Sequence, residues 1–332
     1  MIFAPTAHGV RLGLGGAPLG NMYAAVDDGE AQAALQAAFA DGCRTFDTAP
    51  HYGNGRSEER FGRFLQGEKR ATCVLSSKVG RLLIPDANAP REFGPYVDVL
   101  PNIQRFDYSA AGVRQCLHDS LERLGAARLD VCYVHDCSAL THGERAEAVF
   151  RQVVDETLPA LRALQREGSL RYVGVAVSDW RVCLRILREA DLDCVLLAGR
   201  YTLLDQSALP QLLPLCEARG VRIAVGGPFN SGILASGVKG SQPLRFNYEA
   251  APPQWIARAA AIEAVCERFD VPLRAAALQF PLAHPAVEII LVGVKRVAHW
   301  RDALAKMTQR IPGAFWEALR AEKLLPEAAP TP

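Results

Sequence analysis

Eight short runs of β-branched and apolar residues, each followed by a stretch with helical spacing, restrict what this chain can fold into. The runs fall at 12–16, 44–47, 73–78, 129–134, 172–175, 194–197, 222–225 and 289–292. Helical signals lie between them. Ser57 stands ahead of Glu58 and Glu59, a hydroxyl cap with acids suited to the positive end of a helix dipole. Ser109 opens a segment in which Val113, Leu117, Leu121 and Leu124 recur on one face, and Gly125 ends it. A doubly wound sheet and a closed barrel both alternate strand and helix. Eight units are the number that closes a (β/α)8 barrel, a TIM barrel, and that is the fold expected here. A barrel absorbs 332 residues as one domain, 1–332, with the Pro- and Ala-rich end at 326–332 expected to fray. The connections 82–108 and 228–253 are too long for plain turns. Both follow strands, so both belong to the face where barrel enzymes carry their sites.

Composition removes several classes of function. With 49% hydrophobic residues and a net charge of +1, the chain is neither disordered nor a strongly basic nucleic-acid binder. No apolar run approaches the length of a membrane span. Residues 1–16 lack a basic segment followed by an apolar core, so no signal peptide is expected. The nine cysteines are odd in number, scattered among apolar residues and free of any CxxC pair. That usage fits a reducing cytoplasm, and no metal site is expected.

Ionisable residues gather where the strands should end. Asp47 closes one run, Tyr52 follows in a glycine-rich turn, Lys78 closes the next run and His135 the one after. Any one of these alone is more simply structural. Four groups on three consecutive strand ends are not, because a core holds such groups only when they are paired. A tyrosine hydroxyl, with a free pKa of about 10, exchanges protons poorly near neutrality. A lysine beside it would lower that value, an aspartate would hold the lysine, and a neutral histidine would orient a carbonyl or hydroxyl. Together they suit carbonyl–alcohol interconversion with a nicotinamide carrying the hydride. The Gly13-Leu14-Gly15-Gly16 stretch, by contrast, opens no helix and is a poor dinucleotide fingerprint; it reads as a strand end that approaches something closely.

The segments FDTAPHYG, RSEERFGRFL, LSSKVGRL and YVHD resemble the aldo-keto reductases, a family of (β/α)8 barrels that use NAD or NADP. The resemblance runs from about residue 12 to 304 and places that family's tetrad on Asp47, Tyr52, Lys78 and His135. It implies that Tyr52 gives or takes the proton, that Lys78 with Asp47 lowers its pKa, and that His135 orients the substrate. LGLGGAPLGNMY, KVGRLLIP, LLAGRYTLLDQ and GGPFNSGIL look like the branch of L-fucose (D-threo-aldose 1-) and pyridoxal 4-dehydrogenases. That likeness implies oxidation of the anomeric hydroxyl of an aldopyranose of the L-fucose, D-arabinose or L-galactose type to the lactone, with Tyr52 as base. Pyridoxal oxidation, general aldehyde or ketone reduction, and a non-catalytic cofactor-sensing subunit are the alternatives.

The cofactor positions depart from the family pattern in places. Ser178 stands where the sugar dehydrogenases carry a polar residue, and Ala198 replaces an expected glutamine, which leaves Arg200 as a substitute. Gly226 replaces a stacking aromatic, so Tyr201 or Phe229 must serve. Gly227, Phe229, Ser231 and Gly232 offer backbone N–H groups to a pyrophosphate, and Gly15 and Gly293 allow close approach. Lys295 and Arg296 could hold a phosphate, His299 stands where NADP users carry an arginine, and Asp302 could accept from a ribose 2′-hydroxyl. The cofactor implied is NAD or NADP, with the balance toward NAD. The expected partner is a small molecule, sugar or pyridoxal-like, with neither nucleic acid nor membrane. In the 82–108 connection, Arg91, Tyr96 and Phe106 are candidates for sugar contacts.

Overall fold

The computed structural model describes all 332 residues. Eight parallel strands close into a barrel: β1 (Leu12–Gly15), β2 (Thr45–Asp47), β3 (Val74–Val79), β6 (Leu129–His135), β7 (Leu170–Val177), β8 (Cys194–Ala198), β9 (Arg222–Gly226) and β12 (Val287–Gly293). Each expected run is one of these strands, displaced by at most a few residues at its ends. Around the barrel the order is β1-β12-β9-β8-β7-β6-β3-β2. The inner face carries Val131, Tyr133, Ala176, Cys194, Leu196, Ala224, Ile289 and Leu291, and Phe3 closes the end where the strands begin. The backbone N–H groups of Ile2 and Phe3 hold that plug by donating to Glu288 Oε1. A larger apolar layer fills the space between strands and helices, as barrel architecture requires. All nine cysteines are buried and unbonded, acting as small hydrophobes. No helix is long and apolar enough to cross a membrane.

The long connections carry structure of their own. Residues 82–108 contain an antiparallel pair, β4 (Arg81–Pro85) and β5 (Asn102–Phe106), in register from Arg81↔Phe106 to Pro85↔Asn102, joined by an irregular stretch over 86–101. Residues 228–253 contain a small hairpin of β10 (Arg245–Phe246) and β11 (Glu249–Ala250). The C-terminal segment is docked, not frayed as expected. Ala329 is buried, and Arg320 donates to Ala329 O and Thr331 Oγ1, so the guanidinium ties the Pro-Ala stretch down.

Candidate active site

Strand register assembles the rim. Gly15 lies opposite Asp47, Asp47 opposite Ser76, Lys78 opposite Tyr133, and His135 opposite Ala176. Consecutive strand ends thereby bring Asp47, Lys78 and His135 to one side of the barrel mouth, with Tyr52 in the turn after β2. Lys78 Nζ lies 3.0 and 2.8 Å from the two oxygens of Asp47 and donates to Thr48 O at 2.7 Å. Ser76 Oγ donates to Asp47 Oδ1 at 2.7 Å. The ammonium sits 4.7 Å from the centre of the Tyr52 ring.

This arrangement corrects one expectation. All three N–H donors of Lys78 are committed, and Asp47 answers its charge. Burial, followed by the Asp47 carboxylate, therefore raises the Tyr52 hydroxyl well above its ordinary value instead of Lys78 lowering it. In this state Tyr52 is a protonated phenol.

Tyr52 is placed by a backbone contact. A Cβ at Gly20 would lie 2.4 Å from the Tyr52 carbonyl carbon, and one at Gly53 would lie 2.4 Å from Gly20 O. Gly53 also has a left-handed φ of 69°. Two facing glycines thus let the 3-10 turn Pro18–Gly20 press against the Tyr52 loop. Ser57 helps from inside the helix Arg56–Phe64, not from its cap: it accepts from Thr48 Oγ1 and donates to Gly16 O.

His135 stands edge-on to Tyr52, ring centres 6.0 Å apart. Burial pushes its pKa well below the ordinary value, so the imidazole is neutral. Its Nδ1 is buried without a partner, and Nε2 lies 3.5 Å from Asp136 Oδ2. A second histidine, His51, is 5.8 Å from His135 and pairs through Nδ1 with Gln104 Oε1 at 3.0 Å. Burial and then Arg81 lower it to about 4. Burial alone would raise Asp136, but the Arg81 guanidinium bonded to it outweighs burial and holds the carboxyl at about 2.

His51, Tyr52, Lys78, His135 and Asp136 line a cavity of about 460 Å³ with Tyr96, Ser138, Thr141, Arg200, Asn247, Tyr248 and Glu249. Of the loop candidates, Tyr96 reaches the cavity, stacked at 6.2 Å on Tyr52. Arg91 instead pairs with Asp98 at the surface, and Phe106 lies beneath Arg81 at 4.4 Å.

A trough of about 370 Å³ continues from Tyr52 across the rim. Its wall includes Gly15, Gly16, Gly199, Gly226, Gly227, Gly232 and Gly293, so backbone is exposed where side chains would stand. Of the positions singled out for cofactor, Gly15, Ser178, Gly227, Phe229, Ser231, Gly232, Gly293 and Lys295 line it. Ser178 borders both spaces. Arg200 lies on the cavity side, bonded to Gly199 O and Asn247 Oδ1. Asp302 does not line the trough. It pairs with Arg274 at 3.3 Å, so its carboxylate is engaged by a neighbouring helix. Tyr201 is fully buried against Phe280, which leaves Phe229 as the aromatic in the trough. A glycine-walled channel running from Tyr52 to Lys295 fits an extended nicotinamide dinucleotide, although the Gly232 N–H, expected to face a pyrophosphate, donates instead to Phe229 O.

Sequence reasoning missed His51, Asp136 and Tyr248. Asn247 and Tyr248 form the tip of the small hairpin, both with left-handed φ, 53° and 69°. Asn247 accepts from Arg200, Tyr248 N donates to Ser231 Oγ at 2.9 Å, and Tyr248 lines both spaces. A tyrosine gives no turn signal there, because left-handed backbone disfavours large side chains.

Residues 11–322 match the model of the aldo/keto reductase family. The chain is 42% identical over 325 residues to the pyridoxal 4-dehydrogenase of Microbacterium luteolum, covering 95% of this chain and 94% of that one. It is 38% identical over 323 residues to the D-threo-aldose 1-dehydrogenase of a Pseudomonas species, with 95% and 94% covered. The solved structure of an aldo-keto reductase from Bacillus halodurans in its holo form superposes with a TM-score of 0.71 at 21% identity, covering 96% and 93%, and shares the fold.

Proposed function

The chain belongs to the aldo/keto reductase family and is an NAD(P)-dependent oxidoreductase, and on that premise we propose that it oxidises the anomeric carbon of an aldopyranose to the lactone. The observation that carries this reading is the convergence of Tyr52, Lys78 (held by Asp47) and His135 on one cavity whose wall also carries Ser138, Thr141, Asn247 and Asp136. Such a wall offers hydrogen-bond partners to a ring bearing several hydroxyls. The relative named D-threo-aldose 1-dehydrogenase adds support. The reading takes 1–332 as one barrel domain.

A bound nicotinamide would supply the two-electron hydride acceptor. Gly227, Phe229, Ser231, Gly232 and Lys295 would hold the dinucleotide, with Ser178 at the junction beside the reacting carbon. The chain's own residues handle the proton. His135, neutral and carrying an unpartnered buried Nδ1, orients the anomeric hydroxyl. Tyr52 first releases its own proton to solvent; the resulting phenolate Oη, stabilised by the Lys78 ammonium, takes the hydroxyl proton as the C–H bond breaks and returns to the neutral phenol. Asp47 fixes Lys78 so that its positive charge stays 4.7 Å from the ring. Tyr96 and Tyr248 wall the cavity and limit water.

Cofactor preference is read from the trough's far end. Asp302 is engaged by Arg274 and Arg296 is engaged in the same way by Glu30, which leaves Lys295 as the charged group lining that end. With neither a free acid for a 2′-hydroxyl nor a free pair of cations for a 2′-phosphate, that end suits NAD or NADP, and turnover with each separates them.

Following absorbance of the reduced cofactor with L-fucose, D-arabinose or L-galactose and either NAD+ or NADP+ tests the reading. Turnover is expected on at least one aldose, with Tyr52→Phe slower by about 10²-fold or more. No turnover on any aldose overturns the substrate class. A second reading, pyridoxal oxidised through its cyclic hemiacetal, is favoured by the 42% identity to a pyridoxal 4-dehydrogenase. Direct competition between pyridoxal and L-fucose separates the two.

A further inference from the structure

Asp136 follows directly on the last residue of β6, yet its backbone leaves the strand conformation. Its φ is +48°, a left-handed value that an aspartate adopts only against a local cost. The backbone N–H still bonds to Ala176 O at 3.0 Å, so the residue is anchored and its side chain turns toward the mouth of the barrel. There Arg81 Nη2 meets Asp136 Oδ2 at 2.6 Å, and Arg81 is itself held by Gln104 Oε1 at 3.2 Å and by the face of Phe106.

The two carboxylate oxygens differ. Arg81 and His135 both approach Oδ2. Oδ1 has no protein partner and is not enclosed, so it presents free lone pairs to the cavity shared with Tyr52 and His135. The charges around that cavity pair off, Arg81 with Asp136 among them, except for one acid at the rim. Its cations are Lys78, answered by Asp47, and Arg200, 3.5 Å from Asp205. Glu249, exposed at the hairpin rim, adds a second carboxylate to the wall.

We infer that Asp136 is a specificity determinant: Oδ1 accepts a hydrogen bond from a hydroxyl of a neutral polyhydroxylated substrate, and its charge, with that of Glu249, excludes substrates carrying phosphate or carboxylate. The hydroxyl part rests on the aldose reading; the exclusion of anions does not. A charged acceptor makes a stronger bond to a hydroxyl than a neutral one. A like charge at contact distance in a partly dry cavity is disfavoured.

The test compares wild type with Asp136→Asn, which keeps an oxygen for Arg81, and with Glu249→Gln, which leaves the buried network untouched. Reduction of 4-nitrobenzaldehyde and 4-carboxybenzaldehyde, alike in shape but not in charge, reads the exclusion. The preference for the neutral aldehyde in kcat/KM should fall by at least about tenfold in Asp136→Asn and by less in Glu249→Gln. Binding of benzoate to the protein loaded with reduced cofactor, followed by fluorescence quenching, should tighten in the same order. With an aldose substrate, Asp136→Asn should raise KM by about tenfold while kcat changes little. Unchanged aldehyde preference and unchanged benzoate binding in both variants overturn the exclusion. An unchanged aldose KM overturns the hydroxyl contact. If the wild type oxidises no aldose, the aldose reading fails, and the benzoate titration still decides the role of the charge.

Discussion

Lys78 gives all three of its N–H donors to two residues, bonding both oxygens of Asp47 and the carbonyl of Thr48 within 3.0 Å. The pair is almost wholly buried, with side chains 1% and 4% exposed. Removing one partner strands a charge in the protein interior, which costs about 3–5 kcal/mol, whereas removing both leaves a void of polar groups but no lone ion. Asp47→Asn and Lys78→Met should each lower the urea-unfolding free energy by that order. The double variant should lose clearly less than the sum. A strictly additive result would show that the pair contributes no coupling.

The same pairing sets the state of Tyr52. Because burial and Asp47 raise its hydroxyl, ultraviolet difference spectra of wild type minus Tyr52→Phe, without cofactor, should show no tyrosinate from this residue up to about pH 10. Asp47→Asn removes one raising influence and frees a lysine donor. Both changes act in one direction, so its Tyr52 signal should move to lower pH. A wild-type signal near neutrality would mean that Lys78 dominates after all.

Acid should loosen the site before it unfolds the barrel's carboxylates. His51 is held neutral, at about 4 against its ordinary 6.5. As pH falls, the unfolded chain takes up this proton first. The stability His51 confers is therefore complete above 6.5 and lost between 6.5 and about 4, on the order of 3 kcal/mol. His135 acts in the same sense. Asp136, lowered from 3.8 to about 2, loses its contribution only below that window. Urea titrations at pH 7.5, 6 and 5 should show His51→Asn declining less steeply than wild type. Parallel slopes would contradict the neutral assignment.

Most of this site was legible because strand ends in a parallel barrel are also site positions. Asp47, Lys78 and His135 stood at the ends of apolar runs, and register alone brought them together. The residues that escaped detection are those whose placement depends on backbone the pattern does not encode. Asp136 and Tyr248 take left-handed conformations against their own preference, held by Arg81 in one case and Ser231 in the other. The β4–β5 hairpin escaped because Asn102, Gln104 and Arg105 dilute the alternation that marks a strand. The tail was misread for a related reason: Pro and Ala suit a frayed end, and only the reach of Arg320 holds them.

Tyr248 separates strain from contact. In Tyr248→Gly the left-handed φ becomes free, while in Tyr248→Ala the strain stays and the ring is lost. The glycine variant should be the more stable of the two by about 1 kcal/mol in thermal unfolding. Both should raise the KM of substrate and of cofactor, since the ring lines both spaces. Equal stability of the two variants would show that the hairpin tip relaxes when the ring is removed.

Gly20 offers the sharpest test of how Tyr52 is aimed. The missing Cβ leaves room for the Tyr52 carbonyl, and an added methyl would stand 2.4 Å from its carbon and 2.7 Å from its oxygen. Neither atom belongs to a flexible side chain, so Gly20→Ala must push one of two backbone segments away. The segment opposite Gly20 carries Gly53, left-handed and itself in contact with Gly20 O, which makes the Tyr52 loop the softer of the two. A shift near 1 Å at the proton-transfer group costs about 10²-fold in rate. Gly20→Ala should therefore lower kcat by about that factor while cofactor affinity, measured by fluorescence titration, stays within about threefold because the trough's glycines are untouched. Full activity in a folded Gly20→Ala protein would show that Tyr52 is not positioned by this contact.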